Sequence, residues 1–342
     1  MRNWDTRDES GTDSGCEWEK DWEDVQKVCK VLDIPCEMLD FTREYWNSVF
    51  EPSLHLWEDG ATPNPDVLCN KEIKFGALIK SLPTTSSWFA TGHYARKGWT
   101  TPSPGLLPRA KLLRAVDPIK DQTYFLASIT ESALKRSLFP LGDLHKSEVR
   151  ELAKKYNLPT AERKESMGVC FVGQKAKFSD FLSSYIPPNP GPIIDLSTGK
   201  TLATHKGLWT YTIGQGAKVS GMSERAFVVK KDPSLNAIYI APGADNPLLY
   251  SRGIRVHNFT WIWADCPPPM TIGYEGLVKI RHRMEPVPCT VRSTTPSMSD
   301  LVITFHDHEI GVAPGQVAVL YDKDEGRVLG SGTIGATIPI PS

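Results

Sequence analysis

The chain contains no apolar run near the roughly 20 residues a membrane-spanning helix needs, no Cys-x-x-Cys pair, and no surplus of either charge. Its 39 Lys and Arg against 40 Asp and Glu leave a net charge of −1. That balance excludes a chain that is basic throughout, such as a histone-like or ribosomal coat, but leaves room for a basic face inside a neutral total. The 7 cysteines among 342 residues are an odd number. They argue against a secreted disulfide framework and, lacking a paired motif, against a zinc ribbon. Reduced thiols in an intracellular compartment are expected. The acidic opening MRNWDTRDESGTD has neither the apolar stretch of a signal peptide nor the arginines of a transit peptide. No internal repeat is apparent.

What is present is ordinary for a soluble globular chain: 40% apolar and 23% charged residues. The length suggests two to three domains, and 27 prolines with 26 glycines point to many loops and short strands. Val25, Val28, Cys29 and Leu32 follow i, i+3, i+4, i+7 spacing, which predicts a helix burying that face, with Cys29 as core. Ile34 to Leu39 reads as a short strand and Glu44 to about Leu56 as a second helix carrying Trp46, Val49 and Phe50. Trp88-Phe89-Ala90 then runs into a Thr91-Gly92-His93 turn, so the first part reads as alternating α/β with a parallel sheet.

Residues 99–110 read as a loop, and a helix near residue 150 places Val149, Leu152, Ala153 and Tyr156 on one face before Pro159. Residues 135–177 hold ten Lys or Arg against five acids, either a solvated face or a phosphate-facing stripe. After PPNPGP at 187–192 the character turns to short strands, including Ala226–Lys230, Gly276–Arg281 and Val328–Ile334, spaced for a small barrel or sandwich.

Two cysteines stand apart by their surroundings. Cys69 follows Pro63-Asn64-Pro65-Asp66 at a helix start, with Lys71 and Lys74 close behind. A helix N-terminus and nearby ammonium groups favour thiolate over thiol, and Asp66 is near enough to move a proton. Cys170 lies between Gly168 and Gly173 behind the basic run. Each cysteine alone reads equally as inert core, yet the pair invites a two-thiol reaction through a transient disulfide or persulfide. Gly92 and His93 end a strand where open α/β sheets bind ligands. Lys120-Asp121-Gln122 enters a helix, Arg281-His282-Arg283 lies on an expected strand, and His306-x-His308 has no third ligand, so no bound metal is expected.

The segments MRNWD (1–5), TPNPDVLCNKEIKF (62–75), ATGHYAR (90–96), DPIKDQTYFL (117–126), KESMGVCFVG (164–173), HKGLWTYTIGQ (205–215) and APGQVAVLY (313–321) together make the chain resemble the tRNA-specific 2-thiouridylases, the mitochondrial eukaryotic branch most closely. The resemblance implies an ATP pyrophosphatase-type (PP-loop) parallel sheet domain at 1–178, a small β-rich domain at 179–248 and a β-barrel at 249–337. It implies adenylation of the wobble uridine C2 oxygen by ATP, accompanied by magnesium, and replacement of that oxygen by persulfide sulfur. It also implies a tRNA substrate, a protein that donates persulfide sulfur, and a mitochondrial setting.

Carried over by motif, Cys69 is the nucleophile and Cys170 bears the persulfide; Asn64, Pro65 and Asp66 meet the target base. Met1 and Gly92 contact the nucleotide, while His93, Lys120, Asp121, Gln122, Arg281, His282 and Gln316 contact tRNA. Family members open with a strand and a Ser-Gly-Gly-x-Asp-Ser phosphate loop, which this sequence does not contain. The expected parallel sheet therefore lacks its first strands, and weak or no ATP-dependent activity is expected of the chain as written. A tRNA-binding remnant without catalysis is the alternative reading, and a cysteine hydrolase using Cys69 and His93 a third.

Overall fold

The computed structural model describes residues 1–4, 17–83, 88–101, 105, 107–163, 178–220, 222, 224–270 and 273–341. Helix α1 spans Glu17–Leu32. Helix α2 covers residues 42–58, with a wider-wound stretch at Trp46–Phe50. Helix α3 covers residues 65–81, its middle, Cys69–Ala77, again wound as a π-helix. A Cβ on Gly76 would lie 2.9 Å from the Lys71 carbonyl oxygen, so the wide turn closes there only over a glycine.

Strand β1 (Phe89–Ala90) pairs in parallel with β4 (Ser137–Leu138), giving the parallel element of the first unit. Between them lie the hairpin β2 (Arg96–Trp99) and β3 (Ala110–Leu113) and the short helices α4 (Thr123–Leu126) and α5 (Glu131–Arg136). Helices α6 (Lys146–Lys155) and α7 (Phe178–Leu182) follow.

A five-stranded sheet comes next, from β5 (Gly191–Asp195), β6 (Thr201–His205), β7 (Gly216–Ala217), β8 (Ala226–Asp232) and β9 (Ala237–Pro242). Its order is β6-β5-β9-β8-β7. The last strands are β10 (Tyr250–Trp261), β11 (Tyr274–Lys279), β12 (Val287–Ser293), β13 (Leu301–Ile310), β14 (Val317–Tyr321) and β15 (Arg327–Pro339). They run β10-β13-β12-β11-β14-β15, and β15 pairs back onto β10, closing a six-stranded barrel. Alternation of buried and partly buried residues, as in Leu301 to Phe305, fills its interior.

The hairpin β2–β3 adds to this barrel sheet through Leu113 and Leu112, which pair with Arg327 and Val328. Leu112, Tyr124 and Leu126 of the first unit share one buried cluster with Val319, Tyr321 and Val328 of the barrel. Residues 99–110, read as a loop from their Pro and Gly content, thus join two strands that pair with each other, and the second of them pairs with a strand more than 200 residues away, information that local composition does not hold.

Four further expectations are corrected. Residues 34–39 form no strand; only Asp40 makes an isolated parallel bridge, to Arg2. The face of α1 is not buried: Val25 and Leu32 are exposed and Cys29 is half-buried, its thiol hydrogen-bonded to that of Cys36. Helix α6 likewise leaves Leu152 and Tyr156 exposed. Helical spacing reports an apolar stripe; whether a partner covers it depends on elements elsewhere. Residues 281–283 lie in the turn after β11 rather than on a strand.

A second buried cluster is aromatic. Trp4 meets Phe50 at 4.6 Å, Trp46 at 5.8 Å and Tyr45 at 6.0 Å between ring centroids, with Phe181 and Tyr185 of α7 and its C-terminal turn against it. Cys69, Ile73, Ile186 and Trp209 belong to the same cluster, so this core continues past residue 178.

Candidate functional site

The segment entering α3 is fixed by its own chemistry. Asn64 is extended (φ −118°, ψ 92°) because Pro65 follows it, and its side chain caps the helix by accepting from Val67 N at 3.3 Å. Asn64 Nδ2 also donates to Gln316 Oε1 at 3.4 Å, across 252 residues. Beside this contact Thr62 N donates to Pro314 O at 2.8 Å. Gly315 has φ +92°, and a Cβ there would sit 2.6 Å from Thr62 N, so only glycine lets the barrel approach so closely. Asn64 and Gln316 are thereby brought together.

Because the helix begins at Pro65, Cys69 sits one turn inside it rather than at its start. The thiol is buried (4% exposed) and Asn3 Nδ2 lies 3.6 Å from Cys69 Sγ as donor. Asn70, next to it, donates to Asp66 O at 2.9 Å. Among the described residues, Asn3 Oδ1 and Asn70 Oδ1 are buried acceptors without a hydrogen-bond partner. Lys71 turns away to Glu72 at 3.2 Å.

Lys74 acts on Asp66 and His93. Burial pushes the Asp66 carboxyl above its ordinary range and Lys74 pulls it back in part. Burial first and Lys74 second hold His93 down to about 3, so its ring is neutral at pH 7. Its Nδ1 lies 2.9 Å from Thr91 Oγ1.

The sign for stability follows. Unfolded His93 takes a proton near its ordinary 6.5, whereas the folded group resists until about 3. Stability is therefore lost as pH falls from about 6.5 toward 3, at up to about 1.4 kcal/mol per pH unit from this residue. His93→Asn should flatten that acid limb in urea unfolding followed at pH 4 to 7. An unchanged slope would contradict a buried neutral ring.

Gly92 lies exposed at the end of β1. A Cβ there would meet only Leu141 Cδ1 at 3.8 Å, so the fold does not demand glycine, and the position leaves bare backbone open to a ligand. Met1 is 44% exposed beside the Arg2 bridge.

Lys120, Asp121, Gln122 and His282 line a cleft of about 1230 Å³ with Lys146 and Arg163. The Asp121 carboxylate is turned inward: its side chain is 0% exposed and accepts from Ala115 N at 3.1 Å and Thr123 Oγ1 at 3.0 Å. What Asp121 shows to the barrel is its carbonyl, 3.0 Å from His282 Nε2. Gln122 is similarly engaged, its Oε1 accepting from Tyr94 N at 3.0 Å. Arg281, His282 and Gln316 line a second cleft of about 520 Å³, so the two clefts meet at His282.

Much of the basic run is paired: Lys135 with Glu131, Lys154 with Glu162, and Arg163 with Asp21 and Asp24. Of its described members, Lys146 and Arg163 face the larger cleft. Cys170 lies outside the described residues.

Two residues emerge only from the structure. Asn3 reaches Cys69 because Arg2 bridges to Asp40, a pairing with no local signal. Lys279, 3% exposed at the larger cleft, is held below the ordinary lysine range by burial, Asp121 opposing that shift; in the sequence it is simply the last residue of a strand.

Three family models match along the chain: a tRNA methyl transferase HUP domain over residues 1–174, a tRNA methyl transferase PRC-barrel domain over 179–242, and an aminomethyltransferase beta-barrel domain over 251–334. The tRNA-specific 2-thiouridylase MnmA of Bacillus subtilis is 42% identical over 337 residues, covering 98% of this chain and 86% of that protein. The mitochondrial tRNA-specific 2-thiouridylase 1 of Homo sapiens is 39% identical over 357 residues, covering 98% and 83%. MnmA of Idiomarina loihiensis is 38% identical, covering 98% and 87%. The observed α/β unit, middle sheet and closed barrel follow the same order as the three models. By identity and coverage alike, the chain belongs to the tRNA-specific 2-thiouridylase family.

Proposed function

We propose that this chain is a tRNA-uridine 2-sulfurtransferase, replacing the C2 oxygen of the wobble uridine with sulfur at the expense of ATP. The observation that carries the reading is the placement of Cys69: a buried thiol within hydrogen-bond reach of Asn3, on a helix that also carries Asp66 and whose capping Asn64 is tied to Gln316 of the barrel.

ATP fits the bare backbone at Gly92 and the exposed Met1 near the Cys69 segment, and supplies the adenylate that makes O2 a leaving group. Among the described residues no three His, Cys, Asp or Glu side chains converge on one ion, so magnesium in this reading arrives on the phosphates. The terminal sulfur of a Cys170 persulfide attacks C2 and AMP departs with O2. Cys69 thiolate then attacks Cys170 Sγ, breaking the S–S bond and leaving sulfur on the base. The two cysteines end as a disulfide, and an external thiol reduces it.

Asn64, Pro65 and Asp66 hold the base, while His93, Lys120, Gln122, Arg281, His282 and Gln316 meet the tRNA, Asp121 through its main chain. A donor protein supplies the persulfide sulfur. The human and mouse relatives are mitochondrial by name and the bacterial ones equally similar, so mitochondrial residence stays part of the proposal. Among the described residues no helix is long and apolar enough to cross a membrane.

A hydrolase built on Cys69 and His93 is disfavoured, since an imidazole held at about 3 is too weak a base to take a thiol proton at neutral pH. The deciding experiment incubates the purified chain with ATP, a persulfide donor and a tRNA transcript carrying an unmodified wobble uridine, followed by mass spectrometry of the nucleosides. ATP-dependent 2-thiouridine is expected, above the weak or absent activity that the missing phosphate loop alone suggests. Tight tRNA binding without any 2-thiouridine would overturn the reading in favour of a binding role.

A further inference from the structure

We propose that Asn3 is a positioning residue for the reaction, holding Cys69 Sγ in place and in its nucleophilic form by donating Nδ2–H to it. The assignment rests on the reading of Cys69 as the nucleophile. The contact spans 66 residues of sequence, with Nδ2 3.6 Å from Sγ. It is built rather than incidental, because the chain is pinned on both sides of Asn3. Arg2 N donates to Leu39 O and Phe41 N to Arg2 O, both at 2.8 Å, and the Trp4 ring is locked between Phe50, Trp46 and Tyr45.

The chemistry favours this donor. An amide N–H bonds weakly to a neutral thiol and more strongly to a thiolate, so the interaction grows as the proton leaves. Of the cations that the sequence places near Cys69, Lys71 lies against Glu72 at 3.2 Å, and Lys74 acts on Asp66 and His93 as well. The other end of the same amide strengthens the case. Asn3 Oδ1 is buried with no partner among the described residues, an arrangement that costs stability where a fold needs only bulk. A leucine of similar size would fill the space without that cost, so what the asparagine contributes is its N–H.

The test measures Cys69 directly, without tRNA or ATP. The full chain is alkylated with iodoacetamide from pH 6 to 10 and the Cys69 peptide quantified by mass spectrometry, with the exposed Cys36 and Cys266 as internal standards. In Asn3→Ala the Cys69 rate at pH 7 should fall about tenfold, and the midpoint of its pH profile should rise by about one unit. Near-isosteric Asn3→Asp should raise the midpoint further, because a carboxylate opposes a thiolate. Asn3→Gln, which retains the donor, should recover part of the loss.

A role confined to packing predicts one shared midpoint for wild type, Asn3→Ala and Asn3→Gln, with Asn3→Asp alone displaced by its charge. That result, with Asn3→Ala folded by circular dichroism, would overturn the assignment. If instead the profiles shift while wild type makes no 2-thiouridine, the thiolation reading fails and the Asn3 contact stands.

Discussion

Replacing Cys69 by serine is expected to lower 2-thiouridine formation by about a thousandfold or more while leaving the fold and tRNA binding intact. Serine retains the size and one hydrogen-bonding atom, so Asn3 Nδ2 keeps an acceptor and the aromatic cluster around Cys69 keeps its shape. What disappears is the ability to form and break an S–S bond at neutral pH, since a hydroxyl is not ionised there and cannot resolve a persulfide. Asp66 and His93 cannot compensate, because neither a carboxyl nor an imidazole resolves a persulfide. The measurement is the nucleoside assay alongside a gel-shift titration with tRNA. Turnover within tenfold of wild type would remove Cys69 from the mechanism. Loss of tRNA binding together with turnover would place Cys69 in the interface instead.

Trp4→Ala should cost about 3–5 kcal/mol of stability, lowering the melting temperature by roughly 10 °C. The indole is 8% exposed and touches Tyr45, Trp46, Phe50, Phe181 and Tyr185, residues from two helices and the turn after α7. Its removal leaves a cavity that three separate segments would have to collapse to fill, and edge-to-face ring pairs add to the loss. Because Trp4 also fixes the backbone next to Asn3, the Cys69 alkylation rate should fall even at temperatures where the variant remains folded. Calorimetry reads the first effect and peptide mapping the second. A melting shift below about 2 °C would show that the cluster repacks without the indole.

How much of this was legible in the sequence depends on range. Helix α2 and the barrel strands at 301–305 and 317–321 follow from periods of 3.6 and 2, both local signals. Cys69, Asn64 and Gln316 were selected by motif, and the structure joins Asn64 to Gln316 without either neighbourhood announcing the other. What stayed hidden was set by pairing over distance. The bridge from Arg2 to Asp40 replaced an expected strand, and the hairpin β2–β3 owes its strands to β15. The apolar stripe of α1 is a correct periodicity attached to an incorrect inference, because nothing in a helix's own residues says what lies opposite. Asp121 was singled out for its charge, yet its carboxylate serves Ala115 and Thr123, and only its carbonyl reaches the barrel.

The hairpin that the first unit lends to the barrel sheet has a further consequence. Main-chain hydrogen bonds between Leu112–Leu113 and Arg327–Val328, with a common core beneath them, leave no hinge between these two bodies. The spacing from the barrel residues Arg281 and Gln316 to the thiol of Cys69 is therefore held by main-chain pairing as well as by side-chain packing. In the proposed reaction that fixed spacing works as a ruler. The nucleotide that reaches the thiol is chosen by its distance along the RNA from the point where the barrel grips, so lengthening the intervening stem by one base pair would present the wrong base.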